Sequence, residues 1–159
     1  MQKTISLLVE NRFGVLARIS GLFSGRGFNI DSLAVGETED PNISRMTIVA
    51  NGDENVIEQI IKQLNKLIDV IKVIDYKDSP PIERDLVLIK VNATRQNRAE
   101  IVQIADLFQA KIVDVGEDAV IIEMAGEEDR INGLINLLKP FGIKELSRTG
   151  IIALERAKK

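Results

Sequence analysis

The chain has no cysteine, no histidine and no tryptophan, and it carries a single tyrosine. Without cysteine there is no disulfide framework, no thiolate nucleophile and no iron–sulfur site. Without histidine the usual near-neutral proton carrier and the commonest transition-metal ligand are both missing. No apolar run approaches the roughly 20 residues of a membrane span. Charge of one sign is scarce too: the net charge is −3, spread over mixed signs. Nucleic acid as the main partner would need a concentrated basic field, which this balance does not supply. MQKTISLLVE enters an alternating strand pattern at once, with no charged-then-apolar leader. The expectation is a cytoplasmic protein with no catalytic residue and no metal site of its own.

What is present is a pattern that runs twice. KTISLLVE reads as a strand, followed by the turn signal ENRFG. GVLARISGLFSGRG then changes period, with Val15, Ile19, Leu22 and Phe23 on one face, Leu16 beside them, and Gly25 and Gly27 at the stop. FNIDSLAVGET and SRMTIVAN are strands around the turn TEDPN, the latter alternating Met46, Ile48 and Ala50 against Thr47 and Val49. Asp53 caps a helix through Leu67 that places Ile57, Ile61, Leu64 and Ile68 together, and VIKVIDY is a fourth strand. The order is β-α-β-β-α-β, the split arrangement of ferredoxin-like folds. In KDSPPIE the paired prolines exclude a helix interior or central strand and mark a linker.

The order then recurs. RDLVLIKVNA is a strand, QNRAEIVQIADLFQ a helix with Ile101, Ile104, Ala105 and Phe108 inward, and KIVDVG and AVIIEMAG a hairpin. EEDRINGLINLLKPFG is a helix on Ile131, Leu134, Ile135 and Leu138, and IKELSRTGIIALER a last strand interrupted at Gly150. The expected fold is α+β, two ferredoxin-like βαββαβ domains in tandem, at 1–77 and 84–159 with a linker over 78–83.

LVENRFGVLARISGLFSGRGFNIDSLAVG, SRMTIVANGDE and RTGIIALER together resemble the small regulatory subunit of acetohydroxyacid synthase (acetolactate synthase). The first unit resembles an ACT domain, a ferredoxin-like module that binds small effectors, often amino acids. The likeness spans the chain, dense over 4–76 and looser over 84–156. Phe13 departs from it, standing where the family often has proline, so the loop is less preset. The resemblance implies a non-catalytic subunit that activates a separate large catalytic subunit and imposes feedback inhibition by valine. It also implies that thiamine diphosphate, Mg²⁺ and FAD belong to that partner, none to this chain. The alternative is a stand-alone amino-acid-sensing ACT protein acting on another enzyme.

The effector site expected on this likeness comprises Asn11, Gly14, Val15, Leu16, Asn29 and Ile30. A helix N-terminus offers unpaired N–H groups and partial positive charge to a carboxylate, and Gly14 removes a Cβ from the approach. Asn11 can accept from an ammonium and donate to a carboxylate. In the sheet order 4-1-3-2, Asn11 and Asn29 lie at opposite ends of one chain's sheet, and the second strand is an open edge. Antiparallel pairing of that strand with its copy would bring Asn29 of one subunit to Asn11 of the other. Affinity in the micromolar-to-millimolar range, roughly −4 to −8 kcal/mol, suits such a sensor.

Plainer roles compete. Asn11 could be an N-cap and Asn29 a turn residue. Gly25-Arg-Gly27 fails as a dinucleotide loop, because Ile30 stands in the third glycine's place. Glu37, Glu39 and Asp40 lack the spacing of a calcium loop. Arg148-Thr-Gly150 is either a partner contact or a bulge. An RNA-recognition role needs stacking aromatics on the central strands, which read ISLLV and MTIVA.

Overall fold

Alternation in the first ten residues becomes β1 (Gln2–Glu10), with Ile5, Leu7 and Val9 directed into the core. Next come α1 (Val15–Gly25), β2 (Asn29–Glu37), β3 (Ile43–Asn51), α2 (Glu54–Asn65) and β4 (Val70–Ile74) in the computed structural model, which describes residues 1–158. The sheet order is β2-β3-β1-β4, with every neighbouring pair antiparallel. β1 and β2 therefore run parallel, and β2 is an edge, as expected from the pattern. Met46, Ile48 and Ala50 join the β1 residues against Val15, Ile19 and Phe23 of α1 and Ile57, Ile60 and Leu64 of α2. Each large aliphatic or aromatic side chain so buried contributes about 1.5–3 kcal/mol.

α2 begins as its sequence requires: Asp53 Oδ1 accepts the Val56 N–H at 2.9 Å. It ends sooner than the periodicity predicts, at Asn65. Ile68 was expected on the buried face but is 96% exposed. Beyond the last helical turn the 3.6-residue phase no longer applies, and Leu67 packs on the core instead.

The second sheet includes β5 (Ile82–Asn92), β6 (Lys111–Val115), β7 (Ala119–Gly126) and β8 (Ile143–Arg148), in the order β6-β7-β5-β8. α3 (Arg98–Leu107) and α4 (Glu128–Leu138) bury Ile101, Ala105, Ile131, Leu134 and Leu138 against Val87, Ile89, Val91, Val120 and Ile122. The chain thus holds two ferredoxin-like βαββαβ patterns, with Pro80 and Pro81 just ahead of β5. At the surface Lys90 Nζ lies 2.6 Å from Glu145 Oε2; their hydrogen bond raises the lysine's pKa and lowers the carboxylate's.

Two compact units result, but their boundaries do not follow the linker alone. One is Met1–Ile82 together with the segment from Ile151 onward; the other is Glu83–Gly150. The sequence pattern groups 84–159 together, whereas by compactness the segment from Ile151 onward sits with the first unit. The strand reading over IKELSRTGIIALER breaks at Gly150 (φ 84°), and the short strand beyond it, β9 (Ile152–Leu154), belongs to the first unit. Arg148-Thr-Gly150 is the crossing itself. Arg148 donates from Nε and Nη2 to the buried Asp85 Oδ2, at 2.8 and 2.6 Å, and Thr149 Oγ1 reaches Asp85 Oδ1 at 3.1 Å.

This return explains a further difference. Thr47 and Val49 point away from the helices, where the alternation places a solvent-facing side, yet both are buried. Thr47 faces Ser6 across the β1–β3 pair, and Ser6 is fully buried. Above that row Tyr76 Oη lies 2.6 Å from Ser6 Oγ, accepts from Arg45 Nη2 at 2.9 Å and donates to the Ala153 carbonyl at 3.3 Å. A phenol has one proton, so with that proton given to Ala153 the serine hydroxyl donates. Tyr76 holds a positive φ of 55°, a left-handed conformation that costs a non-glycine residue about 1–2 kcal/mol. Ile151 and Ala153 are themselves buried.

Truncating Ile60 to alanine is expected to cost about 2–5 kcal/mol in urea unfolding. Ile68→Ser should stay within about 0.5 kcal/mol of the parent in the same measurement.

Candidate functional site

The approach to α1 is shaped by a glycine. Gly14 takes φ 86°, which swings the chain from the end of β1 into the first turn of α1, and it stands at the N-cap position without a side-chain hydrogen bond. No acidic residue lies in that first turn. α2 offers a direct contrast, since it carries Asp53 as a cap and Glu54 in its first turn. The α1 N-terminus therefore keeps its partial positive charge without an internal anion to balance it.

Asn11 is not the cap of this helix. Its backbone N–H donates to Asn42 O at 2.7 Å, and its Nδ2 donates to Glu37 Oε1 at 3.1 Å and Pro41 O at 2.9 Å. The side chain thus bridges the end of β1 to the β2–β3 turn and stays exposed beside the helix start. Val15 is buried in the core, and its N–H makes a long bond to Arg12 O at 3.4 Å. Leu16 is about half exposed at 48%.

One neighbour was missed at the level of sequence. Arg18 reads as a solvent-facing helical residue, but its Nη1 would stand 3.4 Å from a Cβ placed on Gly14. Its Nε is fixed by Asp69 Oδ2 at 2.7 Å. An i, i+4 spacing from Gly14 was the available signal, since such residues share a helix face. Phe13, in the same loop, is fully exposed, an unusual placement for a large aromatic.

Asn29 and Ile30 are elsewhere. In register Asn29 faces Asn51, which faces Gln2 at the start of β1, whereas Glu10 faces Ile43 at the other end. The strand rise places the two asparagines about 30 Å apart along the sheet. Asn29 is exposed and donates from Nδ2 to Asp31 Oδ1 at 2.8 Å; Asp31 Oδ2 also accepts from Gln2 Nε2 at 2.9 Å. Ile30 is partly buried against the core and offers its backbone. One chain thus brings together Asn11, Gly14, Val15 and Leu16, and separately Asn29 and Ile30. The second group lies on the open edge strand.

Among the described residues no group of three or more acidic side chains is placed to hold a metal ion, and no helix is long and apolar enough to cross a membrane. The sheet face that RNA-recognition modules use for stacking is lined here by Ser6, Arg45 and Thr47, with Tyr76 bonded to the first two.

Comparison with known proteins points to one family. Residues 5–72 match a family profile described as the AHAS small subunit-like ACT domain, and residues 84–157 one described as the small subunit of acetolactate synthase. A probable acetolactate synthase small subunit of Archaeoglobus fulgidus is 54% identical over all of this chain and 99% of that protein. An acetolactate synthase small subunit of Aquifex aeolicus is 52% identical over 96% of this chain and 80% of its own length. The crystal structure of the acetolactate synthase small subunit from Thermotoga maritima superposes with a TM-score of 0.92 at 40% identity, covering 100% of this chain and 99% of that one.

Gly14→Ala forces a Cβ into left-handed backbone, and equilibrium unfolding should register a loss of about 1–2 kcal/mol.

Proposed function

The chain belongs to the small-subunit family of acetolactate synthase, and from that membership we propose that it regulates a separate catalytic chain by binding valine, or a related branched-chain amino acid, between two copies of itself. The observation that carries this reading is the uncapped start of α1 beside Asn11 and Arg18, on a unit whose other candidate residues lie on an open edge strand.

Two copies joined β2 to β2, antiparallel about a two-fold axis, would set Asn29 and Ile30 of one near Asn11 and Gly14 of the other. The effector carboxylate would meet the α1 N-terminus and Arg18, where a helix end contributes about 0.3–2 kcal/mol. Asn11 Oδ1 is the acceptor for the ammonium group. The aliphatic side chain would lie against the exposed faces of Phe13 and Leu16. Both protons of Asn11 Nδ2 already have acceptors within the chain, so a ligand bond to that group is an exchange. That exchange keeps the net affinity modest, in the micromolar-to-millimolar range of roughly −4 to −8 kcal/mol.

The catalytic chain would carry the thiamine diphosphate, Mg²⁺ and FAD. This chain's share is to raise the activity of that partner and to lower it when the effector is bound, with a coupling of about 1–3 kcal/mol. A pocket separates aliphatics that differ by one methylene by only about 1–3 kcal/mol, so valine, leucine and isoleucine should all register.

Calorimetric titration with the three amino acids tests the site, and sedimentation equilibrium tests the pairing. A monomeric chain that binds valine at full strength would sink the composite site. Gly14→Asp sets a carboxylate against the ligand's own and should weaken binding at least tenfold. Asn29→Ala should abolish the response to valine in the reconstituted enzyme while activation persists; loss of both together would argue against a local effector site.

A further inference from the structure

The β2 end of the site is a bulge. Pairing with β3 slips between Ile30 and Ser32, leaving Asp31 out of register. Bulges bend a strand locally and re-aim its side chains. Asp31 here holds the Asn29 amide and the Gln2 amide with its two carboxylate oxygens. Asn29 Nδ2 gives one of its two protons to Asp31, so a ligand carboxylate taking the other comes beside a carboxylate of like charge. Binding at Asn29 therefore loads this part of β2 first.

The next residue is tied to a distant part of the chain. Ser32 Oγ accepts the Ile151 N–H at 3.1 Å, within the first unit. One residue upstream of Ile151 is Gly150, and before it Thr149 is fixed in the second unit: its N–H donates to Leu86 O at 3.0 Å and its Oγ1 accepts from Leu86 N at 3.1 Å. From Thr149 to Ile151 the chain spans at most about 7 Å. So short a tether leaves little slack, and Gly150 supplies its freest torsions. Downstream the segment is pinned again, by Tyr76 on the Ala153 carbonyl and by Arg156 Nε on Pro80 O at 3.1 Å. Held on its C-terminal side, Ile151 cannot shift without moving the bonded Gly150.

We propose that Ile151–Leu154 is a strap that reports occupancy at the β2 bulge to the second unit, with the Ser32 hydroxyl as its joint. This rests on the effector-binding reading above. Ser32 is a positioning residue: it does not touch the ligand, and its removal should uncouple binding from response.

The test uses the full chain reconstituted with its catalytic partner, in parent, Ser32→Ala, Ser32→Thr and Tyr76→Phe forms. Hydrogen exchange at 151–154 should quicken at least tenfold in Ser32→Ala while the rest of the chain keeps its protection. Its valine dissociation constant, by calorimetry, should stay within threefold of the parent's. Activity without valine should be unchanged, and residual activity at saturating valine should rise at least threefold. Ser32→Thr, which keeps the hydroxyl, should restore the inhibition, and Tyr76→Phe should weaken it in the same direction as Ser32→Ala. Parent-like inhibition or unaltered exchange in Ser32→Ala overturns the strap alone. Binding weakened beyond threefold would put the serine in the site and overturn it as well. If the parent chain binds no branched-chain amino acid, both the strap and the reading beneath it fall.

Discussion

A four-stranded sheet with helices on one side leaves its other side to be covered, and the first unit depends on how that is done. Its central strands are buried on both faces: Ile5, Leu7, Met46 and Ile48 toward the helices, Ser6, Thr47 and Val49 away from them. Polar groups on the second face cannot be sheltered without partners, since an unpaired buried hydroxyl costs about 1–3 kcal/mol. Tyr76 meets most of that need, joining Ser6, Arg45 and the Ala153 carbonyl through a single oxygen, while Arg45 Nε stays buried without a partner. The left-handed backbone at Tyr76 places the ring there, so the strain and the network are two sides of one arrangement.

Local signals made most of the fold legible. The 3.6-residue spacing named the buried faces of three helices and most of the fourth, where it took Ile61 in place of the fully buried Ile60; Asp53 announced its own cap, and the two prolines stood just ahead of β5. The failures were non-local or fell at element ends. Ile68 continued a helical stripe on paper, but the helix had already stopped. The break at Gly150 was visible, whereas the change of unit behind it was not, because the residues on either side are equally strand-like. Ser32, Arg45, Tyr76 and Asp85 matter through partners far away in sequence, and single-chain periodicity says nothing about those. One clue was there to be read: MTIVA is nearly continuous in apolar character, the mark of a strand covered on both sides.

For the candidate site the sequence named the residues, and the structure supplied their starting arrangement. Asn11 and Asn29 came forward as polar groups flanking a glycine-bounded helix; each proves to be engaged with a carboxylate of its own chain, Glu37 and Asp31. Arg18 was hidden because a helical arginine ordinarily faces water. Its place beside Gly14 depends on Asp69, which approaches from the loop before β4.

The first unit is discontinuous along the polypeptide, whereas the second is one uninterrupted stretch. Emerging from a ribosome, Glu83–Gly150 can close on itself while its older neighbour still lacks its last piece. Synthesis runs at about 5–20 residues per second, so Ser6, Thr47 and Tyr76 spend several seconds awaiting a segment encoded beyond the whole of the second unit. The half of the molecule that is made first is thus the half that is finished last.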